Sequence, residues 1–271
     1  MTPPATIVLL VGGDEADWSG SPSLVEAGAV PSGAVVVAAD SGLHVAAALG
    51  LRVDHLVGDL DSADRPAVVA AERAGTVVHR HPADKDATDS ELALDLVLEL
   101  AATVSDQFEV APAEGDEGPG GPSPSGGRPA ELLVLGGGGG RLDHLLADVF
   151  ALASPRLLPL EITARFGGAT VTVVRPGRPR RVHGRGGEQV SLLPMSGRAR
   201  GVTTDALRWP LVDADLGVGT TRGVSNEMLG PEARVAVTEG VLLIVQPGTV
   251  ASPIEPRKST YDPTPIDSTT S

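Results

Sequence analysis

Short apolar runs alternate with amphipathic stretches along the first half of the chain. Each apolar run has the length of a buried strand, and the stretches between the runs carry apolar residues at helical spacing. The predicted strands are Ile7–Val11, Ala34–Ala38, Asp54–Gly58, Thr76–His79 and Leu132–Leu135. The predicted helices are His44–Leu49, Pro66–Ala74, Asp89–Ala102 and Leu142–Ala153. This alternation predicts an α/β domain with a doubly wound, mostly parallel, Rossmann-like sheet.

The pattern changes at about Ala169, where Val, Thr, Gly and Pro become dominant and no helical period continues. Four apolar runs separated by Gly- or Pro-rich turns predict a small antiparallel β-domain, a sandwich or a barrel. These runs are Thr170–Val174, Gln189–Leu193, Arg234–Val237 and Val241–Val245. We therefore predict an α/β domain over 1–168 and a β-sandwich domain over 169–250.

Two segments have a composition that cannot bury enough apolar surface to fold. Residues 111–129 are rich in Gly, Pro, Ser and acids, and residues 251–271 are rich in Pro, Ser and Thr. We predict a disordered insertion in the α/β domain and a disordered tail.

Charge and composition narrow the functional classes. The chain has 35 acidic and 21 basic residues, a formal net charge of -14, which argues against nucleic acid or an anionic membrane as the main partner. Disulfides and thiolate metal sites are excluded because there is no Cys. No basic leader and no apolar stretch of roughly 20 residues is visible, so the expected location is cytoplasmic.

Two carboxylates follow the third predicted strand, in Gly58-Asp59-Leu60-Asp61-Ser62. Ligands bind at the carboxyl ends of strands in open α/β sheets, and paired carboxylates there suit Mg²⁺. The alternative is an Asp-rich turn in which Asp61 or Ser62 caps the next helix. Asp40 follows the second strand in the same topological position, and it too could simply cap a helix.

A second acidic cluster precedes the helix that starts at Asp89. Thr88 and Glu91 fit a helix capping box, and Asp89 complements the helix dipole, so these residues have a structural explanation. A cap does not need Lys85 and Asp86 just before it. Acids around one Lys at a helix start are suited to metal and phosphate contacts.

The third motif is Gly136–Gly140 followed by Arg141, between a predicted strand and a helix. Glycines allow close backbone approach, a helix N-terminus favours phosphate, and Arg adds a forked donor. The motif is neither a Walker loop nor a dinucleotide-binding fingerprint.

Aromatic residues are scarce, at 2% of the chain, which draws attention to Trp209 in the β-half. It could be a ligand platform or an ordinary core residue. Ser225 and Asn226, downstream, could form part of the same site or a simple turn.

Taken together and in order, the motifs resemble those of the thiamine pyrophosphokinase family. They are ADSG, GDLDS, DATDSE, GRLDH, the S-L-x-P pattern of Ser191–Pro194, LRWPL and GVSNE. The resemblance covers roughly residues 5 to 247. It implies an α/β catalytic domain, a C-terminal β-sandwich, and a homodimer whose sites lie between the α/β domain of one subunit and the β-domain of the other.

The resemblance also implies transfer of pyrophosphate from ATP to thiamine with Mg²⁺. The implied catalytic residues are Asp59, Asp61, Asp86 and Asp89, and the first three are the implied metal ligands. The implied nucleotide and phosphate contacts are Asp40, Ser62, Lys85, Thr88, Arg141 and Asp143. The implied thiamine contacts are Trp209, Ser225 and Asn226. The chemistry also needs a general base, and several aspartates could serve.

Two other functions fit the same architecture. One is a pyrophosphokinase for another hydroxymethyl heterocycle such as a pterin; the other is a non-catalytic module that binds nucleotide or thiamine. LRWPL and GVSNE favour thiamine, and the complete set of acids favours an enzyme. The sequence departs from the family pattern at Asp148, where the family often has Asn.

Overall fold

The structure of the chain, a computed structural model, describes residues 6–13, 30–84, 86–107, 129–136 and 141–248. Lys85, the glycines at 137–140, the tail over 251–271 and all of the insertion but Pro129 lie outside the described residues. The disorder expected for the insertion and the tail therefore remains a prediction.

Ten of the described strands form one sheet, which is parallel in its N-terminal half. Its strand order is β12-β9-β14-β7-β6-β5-β1-β2-β3-β4. The parallel strands are β1 (Thr6–Val11), β2 (Val35–Ala39), β3 (His55–Gly58), β4 (Val77–Arg80), β5 (Glu131–Gly136) and β6 (Glu161–Phe166). The chain runs outward from β1 to β4 and then returns to the other side of β1, which makes a topological switch point there.

Helices cover both faces of the parallel part. The helices are α1 (Gly42–Leu49), α2 (Arg65–Arg73), α3 (Asp89–Gln107) and α4 (Leu142–Leu152), and a 3₁₀ turn spans Pro155–Leu157. One core lies between the sheet and α3, with Leu9, Val57 and Val97 at its centre. The other lies under α1 and α2. Strands buried on both faces explain the nearly continuous apolar runs of the sequence.

The antiparallel part begins at the Gly167-Gly168 turn, which joins β6 to β7 (Ala169–Val174) within the same sheet. The remaining strands are β8 (Arg180–His183), β9 (Gln189–Pro194), β10 (Arg198–Asp205), β11 (Ala214–Gly217), β12 (Asn226–Glu227), β13 (Glu232–Ala236) and β14 (Leu242–Gln246). A second sheet, in the order β11-β10-β13-β8, shares an apolar core with the end of the first. The two sheets form the sandwich.

The expected fold class is confirmed: an α/β domain with a parallel sheet followed by an antiparallel β-sandwich. The sequence prediction missed β6, although Ile162, Ala164 and Phe166 alternate with less buried neighbours as a strand requires. The predicted boundary at 168–169 falls in the β6–β7 turn, and the division into two domains stays a prediction. Among the described residues, no helix is both long and apolar enough to cross a membrane.

Candidate functional site

Three carboxylates meet at the carboxyl edge of the parallel sheet. Asp40 follows β2, and Asp59 and Asp61 follow the adjacent strand β3. Each offers one oxygen, and these three oxygens lie within 4.8 Å of one another. Asp40 is buried, Asp59 half-buried and Asp61 exposed, so the group opens toward solvent on one side.

The backbone around these carboxylates is held in conformations that most residues avoid. Asp40 has φ 43°, Leu60 has φ 64° and Gly58 has φ 146°. The turn is fixed locally, because the Asp61 N–H donates to Asp59 Oδ1 at 3.2 Å and Ser62 Oγ donates to Asp61 Oδ1 at 2.9 Å. Such strained residues persist where the surrounding structure compensates for them, and they cluster at functional sites.

Asp40 is buried at an energetic cost. Only 8% of the residue is exposed, and its Oδ1 atom has no hydrogen-bond partner in the described part of the chain. Burial raises the pKa of this carboxyl above its usual value, and the charges of Asp89 and Asp61 raise it further. Hydrogen bonds with Ser62 and Ser41 act in the opposite direction. A bound cation would remove this cost.

Asp89 lies beside this group at the start of α3. A Cβ atom built on Gly58 would lie 2.9 Å from Asp89 Oδ1 and 3.3 Å from Asp40 Cβ, so a larger residue here would force these side chains to shift. Thr88 caps the helix, since its Oγ1 accepts the Glu91 N–H at 3.2 Å. The capping interpretation of Thr88 is therefore confirmed, while its phosphate contact remains a prediction.

Asp86 is exposed and does not belong to the carboxylate group found among the described residues. The third carboxylate of that group is Asp40, and metal binding by Asp86 remains a prediction. Lys85 lies outside the described residues, so its contact with phosphate remains a prediction. The sequence pointed to Asp40 because it directly follows β2. The sequence did not show that β2 lies beside β3, which is what brings Asp40 next to Asp59 and Asp61.

Arg141 and Asp143 lie at the start of α4, on the exposed surface. Arg141 donates to Asp143 twice, from Nε at 3.2 Å and from Nη2 at 2.5 Å. This pairing lowers the pKa of Asp143 to about 2, mainly through the hydrogen bond, so Asp143 is ionised at neutral pH. The Arg141 guanidinium thus faces a carboxylate that an incoming phosphate would have to displace.

Asp148, on α4, keeps a polar contact with the start of α3. Burial raises the pKa of its carboxyl, while a hydrogen bond with Ser90 and the charge of His144 lower it. An aspartate at this position can therefore make the contact that an asparagine would make.

The β-half carries a pocket of about 320 Å³ around Trp209. It is lined by Trp209, Pro210, Leu211, Arg222, Gly223, Val224 and Asn226. Trp209 is 53% exposed and is therefore not a core residue. The sequence did not single out Arg222 or Val224, because only the folded chain brings them to this surface.

Asn226 supports the pocket from inside the protein. It is 2% exposed; its Oδ1 accepts the Trp209 N–H at 3.0 Å and its Nδ2 donates to the Trp209 carbonyl at 2.8 Å. Ser225 has φ 55°, and its N–H donates to Ser191 Oγ at 3.0 Å. The Asn226 side chain thus holds the backbone of Trp209, and direct contact of Ser225 or Asn226 with thiamine remains a prediction.

Two family models match successive parts of the chain. The thiamin pyrophosphokinase catalytic domain matches residues 30–163, and the thiamin pyrophosphokinase vitamin B1 binding domain matches residues 179–242. The chain belongs to the thiamin pyrophosphokinase family. The carboxylate group lies in the segment that matches the family's catalytic domain, and Trp209 lies in the segment that matches its vitamin B1 binding domain.

Individual members of the thiamin pyrophosphokinase family resemble the chain over most of its length. The thiamine pyrophosphokinase of Bacillus subtilis is 23% identical over 189 residues, which cover 70% of this chain and 76% of that protein. A crystal structure of thiamine pyrophosphokinase from the same species has a TM-score of 0.68 at 20% identity and covers 90% of this chain and 100% of its own. The thiamin pyrophosphokinase structure from Geobacillus thermodenitrificans has a TM-score of 0.63 at 25% identity, with coverage of 91% and 99%.

Proposed function

We propose that this protein is a thiamine pyrophosphokinase, which transfers the pyrophosphoryl group of ATP to the hydroxyl of thiamine and releases AMP. The observation that supports it most is the carboxylate group of Asp40, Asp59 and Asp61 in a chain of this family. The proposal assigns phosphoryl chemistry to residues 1–168 and thiamine binding to 169–250. It includes a cytoplasmic location, where ATP is available.

The carboxylate group fits Mg²⁺. Three carboxylate oxygens within 4.8 Å repel one another unless a cation lies among them, and the buried Asp40 oxygen has no partner among the described residues. Oxygen-only donors suit Mg²⁺, which takes one or two carboxylates together with substrate phosphates. We assign Asp40, Asp59 and Asp61 as its ligands, and bound Mg²⁺ would neutralise phosphate charge.

The residues of the chain act mainly by positioning. The reaction requires the thiamine hydroxyl oxygen to lie in line with the β-phosphorus of ATP. A bond forms between these two atoms, the bond from the β-phosphorus to the oxygen of the α-phosphate breaks, and AMP departs. The hydroxyl proton passes to a nearby carboxylate acting as general base. Arg141, once released from Asp143, offers a forked donor to a phosphate.

The direct test is to incubate purified protein with thiamine, ATP and Mg²⁺ and to measure AMP and thiamine diphosphate. Equal amounts of both products are expected, with loss of both in an Asp61→Asn variant. Turnover of a hydroxymethyl pterin in place of thiamine would indicate the alternative pyrophosphokinase. Binding of thiamine or nucleotide without any product would indicate a non-catalytic module.

We also propose that the protein acts as a homodimer with its sites between subunits, as the family resemblance implies. An exposed apolar stripe supports this: Leu142, Leu146 and Phe150 recur every fourth residue of α4 and are 67%, 47% and 61% exposed. Light scattering should report twice the monomer mass, and Leu146→Glu combined with Phe150→Glu should shift it to the monomer.

A further inference from the structure

The indole of Trp209 is exposed, yet it is held from one side. The guanidinium carbon of Arg208 lies 5.0 Å from the indole centroid, within range of a cation–π contact. Glu227 fixes this guanidinium, because its Oε2 accepts from Arg208 Nη1 at 2.6 Å. The ion pair and the ring contact form a chain that runs from Glu227 through Arg208 to Trp209.

The backbone of the same segment is anchored to the same strand. The Arg208 N–H donates to the Glu227 carbonyl at 2.9 Å, and Asn226 pairs with both the N–H and the carbonyl of Trp209. Two consecutive residues of β12 thus fix both the backbone and the side chain beside the pocket. A tryptophan that only covered the surface of the sandwich would not need its backbone and its ring to be held by these contacts.

We infer that Arg208 is a positioning residue for thiamine, and that its guanidinium, held by Glu227, keeps the Trp209 indole ready as a stacking surface. The inference rests on the proposed function, which places thiamine at this pocket. Immobilising a side chain during binding costs affinity, and a ring that is already fixed avoids that cost.

The charge of Arg208 also bears on which ring of thiamine stacks. A cation on one face of an indole already uses the negative potential of the ring, so a second cation on the opposite face gains less. The neutral aminopyrimidine of thiamine is therefore the better stacking partner, and the thiazolium cation is expected to lie away from the indole.

The test compares Arg208→Met with a matched control, Arg200→Met. Arg200 forms a similar surface ion pair in the same sandwich, from Nη1 to Glu239 Oε2 at 3.1 Å. Arg208→Met should raise the KM for thiamine about fivefold and leave kcat and the KM for ATP unchanged, since only the ordering of one side chain is lost. Arg200→Met should change none of the three.

Two further readouts separate positioning from a structural role. In a Trp18→Phe background, where Trp209 is the remaining Trp, Arg208→Met should speed the decay of fluorescence anisotropy because the indole becomes mobile. The aminopyrimidine alcohol corresponding to half of thiamine should compete with thiamine about fivefold more weakly in Arg208→Met, while a hydroxyethyl thiazolium salt should compete as in the wild type. Glu227→Gln should raise the KM in the same direction, and the double variant should match Arg208→Met alone.

The outcomes distinguish this inference from the proposed function. If Trp209→Ala raises the thiamine KM while Arg208→Met leaves the KM and the anisotropy unchanged, the positioning role of Arg208 is wrong and the pocket stands. If Trp209→Ala also leaves the thiamine KM unchanged, the thiamine pocket is wrong and the role of Arg208 falls with it. A loss of melting temperature with an unchanged thiamine KM in Arg208→Met shows a structural role only, which overturns the inference.

Discussion

At the scale of single residues, the carboxylate edge of the sheet contains groups that cost folding stability. Asp40 is buried, one of its carboxyl oxygens has no hydrogen-bond partner among the described residues, and it lies near two other carboxylates. Gly58 has a backbone conformation open mainly to glycine, and it leaves the space that Asp40 and Asp89 occupy. Residues that destabilise the folded chain in this way persist when the ligand compensates for them.

Asp40→Asn should stabilise the metal-free protein while abolishing turnover. Because the pKa of Asp40 is raised, its ionisation opposes folding at neutral pH, and this penalty disappears below its ordinary value of 3.8. We expect the melting temperature of the variant to exceed that of the wild type by roughly 2–5 °C at pH 7. The gain should vanish near pH 3.5, and Mg²⁺ should stabilise only the wild type. Equal melting temperatures at pH 7 would contradict the penalty assigned to Asp40.

Gly58→Ala should damage the site beyond its effect on the backbone. Gly75→Ala is the matched control, since Gly75 also has positive φ, 95°, but an added Cβ meets no atom within 4 Å. Both variants should lose about 1 kcal/mol of unfolding free energy from backbone strain. Only Gly58→Ala should weaken Mg²⁺ binding, by at least about tenfold, because its Cβ would lie 3.3 Å from the Cβ of the proposed ligand Asp40 and would push that carboxylate aside. Calorimetry on both variants checks this, and equal Mg²⁺ affinities would contradict the crowding argument.

At the scale of elements, the Arg175 side chain joins the end of α4 to the start of the sandwich. Arg175, at the end of β7, is 3% exposed, and its Nη2 donates to the carbonyls of Leu152 and Ser154 where α4 ends. Carbonyls at a helix C-terminus lack intrahelical partners, so this side chain satisfies groups that would otherwise be buried and unpaired. The contact sets the end of α4 against the strand where the sandwich begins.

Arg175→Met should lower the unfolding free energy by about 2 kcal/mol, because one buried and one partly buried carbonyl lose their donor. Arg178→Met is the matched control: Arg178 Nη1 also donates to a carbonyl, that of Leu158 at 2.6 Å, but at an exposed position. The control should lose less than about 0.5 kcal/mol. Denaturant unfolding of the two variants measures the difference, and equal losses would show that burial of the Arg175 contact is unimportant.

At the scale of the whole molecule, one sheet carries the carboxylate group at its parallel end and contributes to the sandwich at its antiparallel end. The two candidate sites thus lie in different parts of one chain. A reaction between ATP and thiamine requires the two candidate sites to lie next to each other. In the proposed homodimer, the sandwich of one subunit lies against the α/β domain of its partner, which brings the two sites together.

Subunit mixing tests that arrangement. Asp61→Asn and Trp209→Ala each damage one half of a shared site. At thiamine concentrations far below the raised KM of Trp209→Ala, each variant alone should therefore have little activity. After dissociation and reassociation at equal amounts, half of the dimers are mixed and each mixed dimer has one intact site. About a quarter of wild-type activity should return. No recovery, with mixed dimers confirmed by mass spectrometry, would show that each site is built within one subunit.

The sequence by itself determined the local elements and the family. Short apolar runs located the predicted strands and helical spacing of apolar residues located the helices, because burial on both faces or on one face imposes these patterns. The order of the motifs from ADSG to GVSNE identified the family. The sequence also indicated a helix cap at Thr88, because a cap depends on residues only three positions apart.

The tertiary structure decided which side chains meet. Asp40 and Asp59 are far apart in the chain and adjacent in space only because β2 pairs with β3, whereas Asp86, near Asp89 in sequence, lies outside the carboxylate group. Only the folded chain shows that the buried Asn226 side chain holds the backbone of Trp209, while its contact with thiamine remains a prediction. Strand order and burial depend on the whole set of packed faces, and no short stretch of sequence contains that information.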